Sequence, residues 1–136
     1  MEYKDIYIVL GIILIHWFAD FVCQSDWQAK NKSKQWGALL SHTVIYSLIW
    51  AVFGYLNLMI LIITTECKYD FVHQELIDVF YFAVITFIIH TIQDYFTSRL
   101  NSKLWTEGKV HLFFVSIGFD QVLHYAQLLL TYKLLS

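Results

Sequence analysis

Long apolar runs separated by short polar connections dominate the sequence. A transmembrane helix needs about 20 mostly apolar residues to cross about 30 Å of hydrocarbon. The pattern predicts four such spans, at about residues 6–22, 36–63, 77–96 and 110–134. The expected fold is therefore all-α: a polytopic membrane protein whose four transmembrane helices form one bundle, a single integral membrane domain over residues 1–136.

Composition supports this prediction and narrows the class of partner. Hydrophobic residues make up 58% of the 136 residues and charged residues only 15%, which leaves too little polar surface to cover a water-soluble globule. The net charge of −2 indicates no nucleic-acid partner. The partners expected are membrane lipids and a lipid-like substrate, and a homo-oligomer is left open.

The charges of the connections predict the orientation. The basic residues of the first and third connections are Lys30, Lys32, Lys34, Arg99, Lys103 and Lys109. The middle connection is acidic, with Lys68 among Glu66, Asp70, Glu75 and Asp78. By the positive-inside rule, the first and third connections face the cytoplasm and both termini lie outside it.

Histidine and aspartate occur four residues apart in three of the predicted spans. The pairs are His16 with Asp20, His90 with Asp94, and, in reverse order, Asp120 with His124. Residues four apart share a helix face. The fourth span runs opposite to the first and third. The reversed order of Asp120 and His124 therefore gives all three pairs the same orientation, with the histidines deeper in the membrane than the aspartates. His42 in the second span is expected near the aspartates.

The spacing also suggests an internal repeat of two helical hairpins. An H-x-x-x-D motif followed by an aromatic residue opens each hairpin, at His16 and at His90. The second helix of each hairpin supplies a histidine, His42 or His124. The repeat is imperfect, since Ala38 stands where an exact copy would have an aspartate. Two repeated hairpins would place a shared site between them.

Three carboxylates inside a bilayer require compensation. One aspartate at mid-bilayer costs about 2.5 to 3.5 kcal/mol, so three cost roughly 8 to 10 kcal/mol unless they are paired or hydrated. The four helices contain no lysine or arginine at this level. A divalent cation would supply the missing charge, and histidine nitrogens with aspartate oxygens suit zinc first, with manganese or iron as alternatives.

The number of candidate ligands favours two ions. The candidates are His16, Asp20, His42, His90, Asp94, Asp120 and His124. Seven ligands exceed the four of a tetrahedral site, whereas two ions about 3.5 to 4 Å apart would use them. Asp20, Asp94 and Asp120 are also the candidate catalytic groups. The alternative is a purely structural polar network that fixes the register of the helices.

Other polar residues are candidates for supporting roles. Gln24, Tyr46, Gln93 and Gln121 are placed to orient metal ligands by hydrogen bonds. Arg99, with Lys103, is a candidate for binding a substrate phosphate at the cytoplasmic mouth. The lysines of the first connection are expected to meet anionic headgroups.

Several sequence runs together resemble a known family. They are HWFADFVCQSDWQAKNKSKQW, HTVIY, HTIQDYF and FDQVLHY. In combination they are similar to the motifs of small, uncharacterised multi-spanning membrane proteins of bacteria and their phages. The resemblance implies the inner membrane of a bacterium or of a phage-infected host, and it supplies no reaction. The site positions that it implies are His16, Asp20, Gln24, Lys32, His42, His90, Asp94, Asp120, Gln121 and His124.

Three functions remain open on the sequence. The first is a metal-dependent hydrolase at the cytoplasmic leaflet acting on a lipid or isoprenoid phosphate, with a bound ion lowering the pKa of water towards 7. The second is transport of protons or divalent cations, although the outer half of the predicted bundle offers few polar residues to continue a path. The third is a non-catalytic phage or bacterial envelope factor.

Overall fold

The described part of the chain is helical throughout. The computed structural model describes residues 3–65 and 68–135, with side chains described from residue 6 onward, and no strand occurs in these ranges. The helices are α1 (Tyr3–Trp17), continued by a π-helical turn (Phe18–Val22), α2 (Asp26–Asn31), α3 (Trp36–Thr64), α4 (Tyr69–Thr106) and α5 (Val110–Leu135). The all-α prediction is therefore confirmed.

Three of the described helices are long and apolar enough to cross a membrane. They are α3, α4 and α5, with 29, 38 and 26 residues. The N-terminal apolar segment Ile6–Val22 is shorter. The structure is thus consistent with a membrane protein containing three long spans.

The helix α4 extends beyond the predicted third span at both ends. It begins at Tyr69, not at residue 77, and ends at Thr106, not at residue 96. At 1.5 Å per residue, a helix of 38 residues is about 57 Å long, well over the hydrocarbon thickness. Hydropathy marks only the apolar part of a helix, so most of the expected middle connection is helical. Glu66 of that connection lies outside the described residues.

The short helix α2 lies in the connection that the sequence analysis treated as a loop. Ser25 caps it: its hydroxyl accepts from the Gln28 backbone N–H at 3.3 Å, and the Ser25 backbone N–H donates to Gln28 Oε1 at 2.9 Å. The buried Gln28 also donates to Ser41 Oγ on α3 at 3.2 Å. These bonds fold the connection back against the bundle.

The first helix ends in a π-helical turn that carries Asp20. The Cys23 backbone N–H donates to the Phe18 carbonyl, five residues earlier, at 3.0 Å. Such turns widen the helix by one residue and are frequent at functional sites. The nearest nitrogen and oxygen of His16 and Asp20 are 3.8 Å apart, about the same as the 3.7 Å between His90 and Asp94 in α4.

The interior of the bundle is polar and its exterior apolar. Among the described side chains, thirteen buried residues are polar or charged and eight are hydrophobic. The helix α4 packs against both α3 and α5, while α1 contacts α5 and its π-helical turn contacts α3. Close approach of α3 and α4 occurs at Gly54, where an added Cβ would lie 3.0 Å from both Cγ atoms of Val79. An apolar exterior around a polar interior is the arrangement expected in lipid.

Candidate metal centre

Four buried donor groups from three elements converge in the bundle. Asp20 comes from the π-helical turn, His42 from α3, and His90 and Asp94 from α4. His42 Nε2 lies 3.1 Å from Asp20 Oδ1, 3.3 Å from Asp94 Oδ2 and 3.2 Å from His90 Nε2. His90 Nε2 lies 3.7 Å from both of those carboxylate oxygens. We call this set the first group.

The spacing of the first group matches one coordination shell. Donors held about 2.0 to 2.1 Å from a tetrahedral ion lie roughly 3.3 to 3.4 Å from one another. Five of the observed donor separations are between 3.1 and 3.7 Å, and all four donors lie within 4.8 Å of one another. A divalent ion therefore fits among these atoms with small side-chain adjustments.

A second group shares Asp94 with the first. It consists of Asp94, Asp120 and His124, all buried. His124 Nε2 lies 3.8 Å from Asp94 Oδ1, the oxygen that the first group does not use, and His124 Nδ1 lies 3.5 Å from Asp120 Oδ1. One carboxylate thus presents one oxygen to each group, which is the arrangement of a ligand that bridges two ions.

Several donor atoms of the two groups lack a hydrogen-bond partner in the described part of the chain. Asp20 Oδ1, Asp120 Oδ1 and His124 Nε2 are buried and unpartnered. The His124 Nδ1–H donates to the Asp120 carbonyl oxygen at 2.7 Å, which leaves the lone pair of Nε2 directed at the cluster. Unsatisfied buried polar atoms cost about 1 to 3 kcal/mol each, and a cation in each group would satisfy all three.

His16 lies beside the two groups and belongs to neither of them within the described residues. Its Nε2–H donates to Gln121 Oε1 at 2.8 Å, and its Nδ1 accepts from the Tyr46 hydroxyl at 2.7 Å. Both ring nitrogens are therefore engaged. His16 stacks on His124 with ring centroids 5.4 Å apart, so the geometry favours a role in positioning over the predicted role as ligand.

Two of the predicted supporting residues contact the histidines of the first group directly. Gln24 Nε2 lies 3.1 Å from His42 Nδ1, so the Gln24 amide fixes the orientation of that ring. Tyr46 stacks on His90 with centroids 3.9 Å apart and ring planes 10° apart. These contacts hold the two imidazoles of the first group from the side away from the carboxylates.

The expectation that the chain supplies no cation at this level is wrong. Lys32, which follows α2, places Nζ 2.8 Å from Asp94 Oδ2, with its side chain only 17% exposed. Burial alone lowers the pKa of Lys32, but the carboxylates of Asp94 and Asp20 outweigh it, so the pKa lies above the usual lysine value. The folding of α2 against α3 delivers this ammonium. Three carboxylates and one ammonium still leave a net charge of −2 with neutral imidazoles.

Arg99 lies away from the centre. Its Nη1 donates to the Tyr95 carbonyl at 2.7 Å, and its guanidinium carbon lies 3.7 Å from the centroid of the Tyr95 ring. Trp36 flanks the same guanidinium at 5.9 Å. Arg99 is therefore held by the aromatic side chains of Trp36 and Tyr95, and the structure does not bring it to the candidate site.

The comparison with protein families agrees with the resemblance in the sequence. A family model described as "Protein of unknown function (DUF3307)" matches residues 8–136. The chain belongs to this family. No curated protein and no solved structure shows a significant match. The match spans α2 and Lys32 as well as every residue of the two donor groups.

In this family member the polar interior continues past the histidines. Gln127 on α5 donates to Thr86 Oγ1 on α4 at 3.3 Å and to Thr131 Oγ1 at 3.0 Å, and all three are buried. The sequence analysis expected few polar residues in the outer half of the bundle and did not identify this group of three. The signal was present, since Thr86 precedes His90 by four residues and Gln127 follows His124 by three.

Proposed function

We propose that the protein is a membrane-embedded, metal-dependent hydrolase with a two-ion centre. The observation that supports this most is the position of Asp94, whose two carboxylate oxygens face two different donor groups. In this proposal α1 and its π-helical turn form the fourth transmembrane span. The bundle lies in the bacterial inner membrane, with the centre on the cytoplasmic side and both termini outside.

Each ion would have its own ligands. The first would bind Asp20, His42, His90 and Asp94, and the second would bind Asp94, Asp120 and His124. Zinc suits this donor set best, with manganese or iron as alternatives. The second group has three protein donors, and a metal site with three protein ligands has a coordination position open to water or substrate.

The charge of the loaded centre indicates the substrate class. The protein groups alone carry a net charge of −2, so two divalent ions would bring the centre to +2. This charge complements a phosphate dianion, and a membrane-associated phosphate ester, such as a lipid or isoprenoid phosphate, is the substrate that we propose. When bound, the ions would supply an activated water and stabilise the negative charge that develops during hydrolysis.

The residues of the chain would perform the remaining steps. Asp120 borders a cavity, so the carboxylate oxygen that would not bind the ion is placed to accept a proton from water. Lys32 borders the same cavity and would move from Asp94 to a substrate oxygen once an ion neutralises that carboxylate.

A phosphate-release assay tests this proposal. The purified protein in lipid vesicles is incubated with phosphatidic acid or an isoprenoid phosphate, with zinc or manganese present or with a chelator. We expect release only with metal and a loss of at least a hundredfold in Asp94→Asn. Asp26→Asn is the matched control, because that carboxylate is 98% exposed on α2. Release that is unaffected by chelation would contradict the proposal.

Transport is the second candidate, because the polar column of Thr86, Gln127 and Thr131 extends the interior beyond the histidines. Such a column can hold water and conduct protons. Proton flux in liposomes that is abolished by Gln127→Leu, without any phosphate release, would favour transport over hydrolysis. If the protein shows neither activity nor bound metal, the non-catalytic envelope factor remains.

A further inference from the structure

A cavity of about 540 Å³ opens beside the candidate metal centre. Asp20 and Asp120 are among the residues that line it. Its walls come from the connection after α2, from the last turns of α4 and from the beginning of α5. A volume of this size is typical of small-molecule sites and is several times larger than a phosphate group needs.

One wall of the cavity is basic and polar. Lys30 at the end of α2 and Lys32 and Lys34 after it line the cavity, and so do Ser98 and Asn101 on α4. The Ser98 Oγ and Asn101 Oδ1 atoms are buried and have no hydrogen-bond partner in the described chain. A serine hydroxyl that can donate and three ammonium groups around one space are the chemistry that recognises a phosphate monoester.

A second wall is aromatic and open. Trp105 at the end of α4 contacts Phe113 on α5 with ring centroids 5.0 Å apart, and Phe113 contacts Phe114 at 5.3 Å. Trp105 and Phe114 are 58% and 62% exposed. In a bilayer this wall would meet acyl chains at the interface, so an apolar chain could leave the cavity along it without entering water.

We infer that this cavity binds a lipid phosphate monoester, with the headgroup at Lys30, Lys34 and Ser98 and the hydrocarbon chain against Trp105, Phe113 and Phe114. The inference rests on the proposed function and extends it to the residues that select the substrate. The basic wall holds the phosphate at the edge of the metal centre, and the aromatic wall distinguishes a lipid from a soluble phosphate. The same phosphate chemistry in a soluble molecule would use only the basic wall.

Binding measurements with non-hydrolysable probes test the inference. Isothermal titration calorimetry in detergent, with manganese present, compares a dioctanoyl glycerol phosphonate with the short, soluble methylphosphonate. We expect the dioctanoyl probe to bind at least tenfold more tightly to the wild-type protein. Lys30→Gln/Lys34→Gln should weaken both probes about tenfold, whereas Lys103→Gln, outside the cavity, should leave both unchanged.

The aromatic wall has its own test. Trp105→Ala should reduce the preference for the dioctanoyl probe about tenfold and leave methylphosphonate binding unaltered. Equal affinity of the wild-type protein for the two probes would overturn the lipid assignment, and lysine variants that bind both normally would overturn the headgroup site. Metal content is measured on the same samples. Loss of metal counts against the proposed function, while loss of probe binding at full metal content counts only against this inference.

Discussion

Lys32 provides a quantitative test of the candidate metal centre. In the structure its ammonium lies 2.8 Å from Asp94 Oδ2, the oxygen that the first ion would bind. Replacing it with methionine preserves most of the apolar stem and removes the charge. The net charge of the three carboxylates and the lysine then changes from −2 to −3. Divalent ions should consequently bind the Lys32→Met protein more tightly than the wild type.

The expected size follows from the distances. With the ion about 2 Å beyond Asp94 Oδ2, the ammonium and the ion would lie about 4 Å apart before the lysine moves. Two charges of +1 and +2 at this distance repel by about 2 kcal/mol in a water-like dielectric and by about 8 kcal/mol at an effective dielectric constant of 20. The lower figure allows for movement of the lysine, and it corresponds to roughly thirtyfold in affinity.

Stability must change in the opposite sense without metal. Removing one partner of a buried ion pair costs about 3 to 5 kcal/mol, because the other charge stays buried and uncompensated. Lys32→Met should therefore melt at a lower temperature than the wild type in chelator and should recover most of the difference when zinc or manganese is added. The control is Lys30→Met, since Lys30 is 75% exposed and pairs with the exposed Asp26.

The assay is metal titration by calorimetry, with thermal melting of the same samples in detergent. The reasoning would be refuted if Lys32→Met bound divalent ions no more tightly than the wild type, or if added metal restored none of its lost stability. A purely structural polar network predicts the second result. In that case the lysine itself would be the permanent counter-ion of Asp94.

The remaining predictions separate the two donor groups and the packing around them. Asp94→Asn should lose both ions, whereas Asp120→Asn should lose only one, as measured by metal content after dialysis; equal losses would exclude a shared ligand. His16→Gln should retain both ions in the same measurement, because both ring nitrogens are hydrogen-bonded outside the two groups. Gly54→Leu should destabilise the bundle by about 1 to 3 kcal/mol through overpacking against α4. Gly118→Leu is the control, because an added Cβ there has nothing within 4 Å. Equal melting temperatures of the two variants would contradict this packing.

Much of the helical architecture and the approximate place of the site could be predicted from the sequence. Apolar runs predict helices in a membrane because the backbone must satisfy its hydrogen bonds internally. The H-x-x-x-D spacing brought His90 and Asp94 to one helix face, and the reversed order in α5 brought Asp120 and His124 to the same region. These positions depend only on helix geometry, which is local.

The contacts that decide the chemistry join side chains of different elements, so the local sequence pattern does not predict them. Within each helix the His–Asp nitrogen–oxygen distances are 3.5 to 3.8 Å, whereas the shorter contacts run between elements, as from His42 to Asp20 and Asp94. The bridging position of Asp94 depends on how α3 and α5 pack on α4. The π-helical turn at Asp20 has no sequence pattern that would have identified it.

The family resemblance implied Lys32 as a site residue, but its position beside Asp94 also had a signal in the sequence. The run SDWQ, with Ser25 and Gln28 three residues apart, is a capping box that predicts the start of a helix. A helix in the first connection would fold it back over α3 and carry Lys32 inwards. The charge balance of the predicted spans does not include Lys32, which lies in the first connection. It therefore overstates the positive charge that an ion must supply.

Metal stoichiometry tests the central claim most directly. The full-length protein is purified in detergent without chelator, incubated with zinc or manganese, freed of unbound metal and analysed by inductively coupled plasma mass spectrometry. Two ions that bind the same carboxylate from opposite oxygens predict two equivalents of metal per chain. A protein that remains folded and retains no divalent metal would contradict the account.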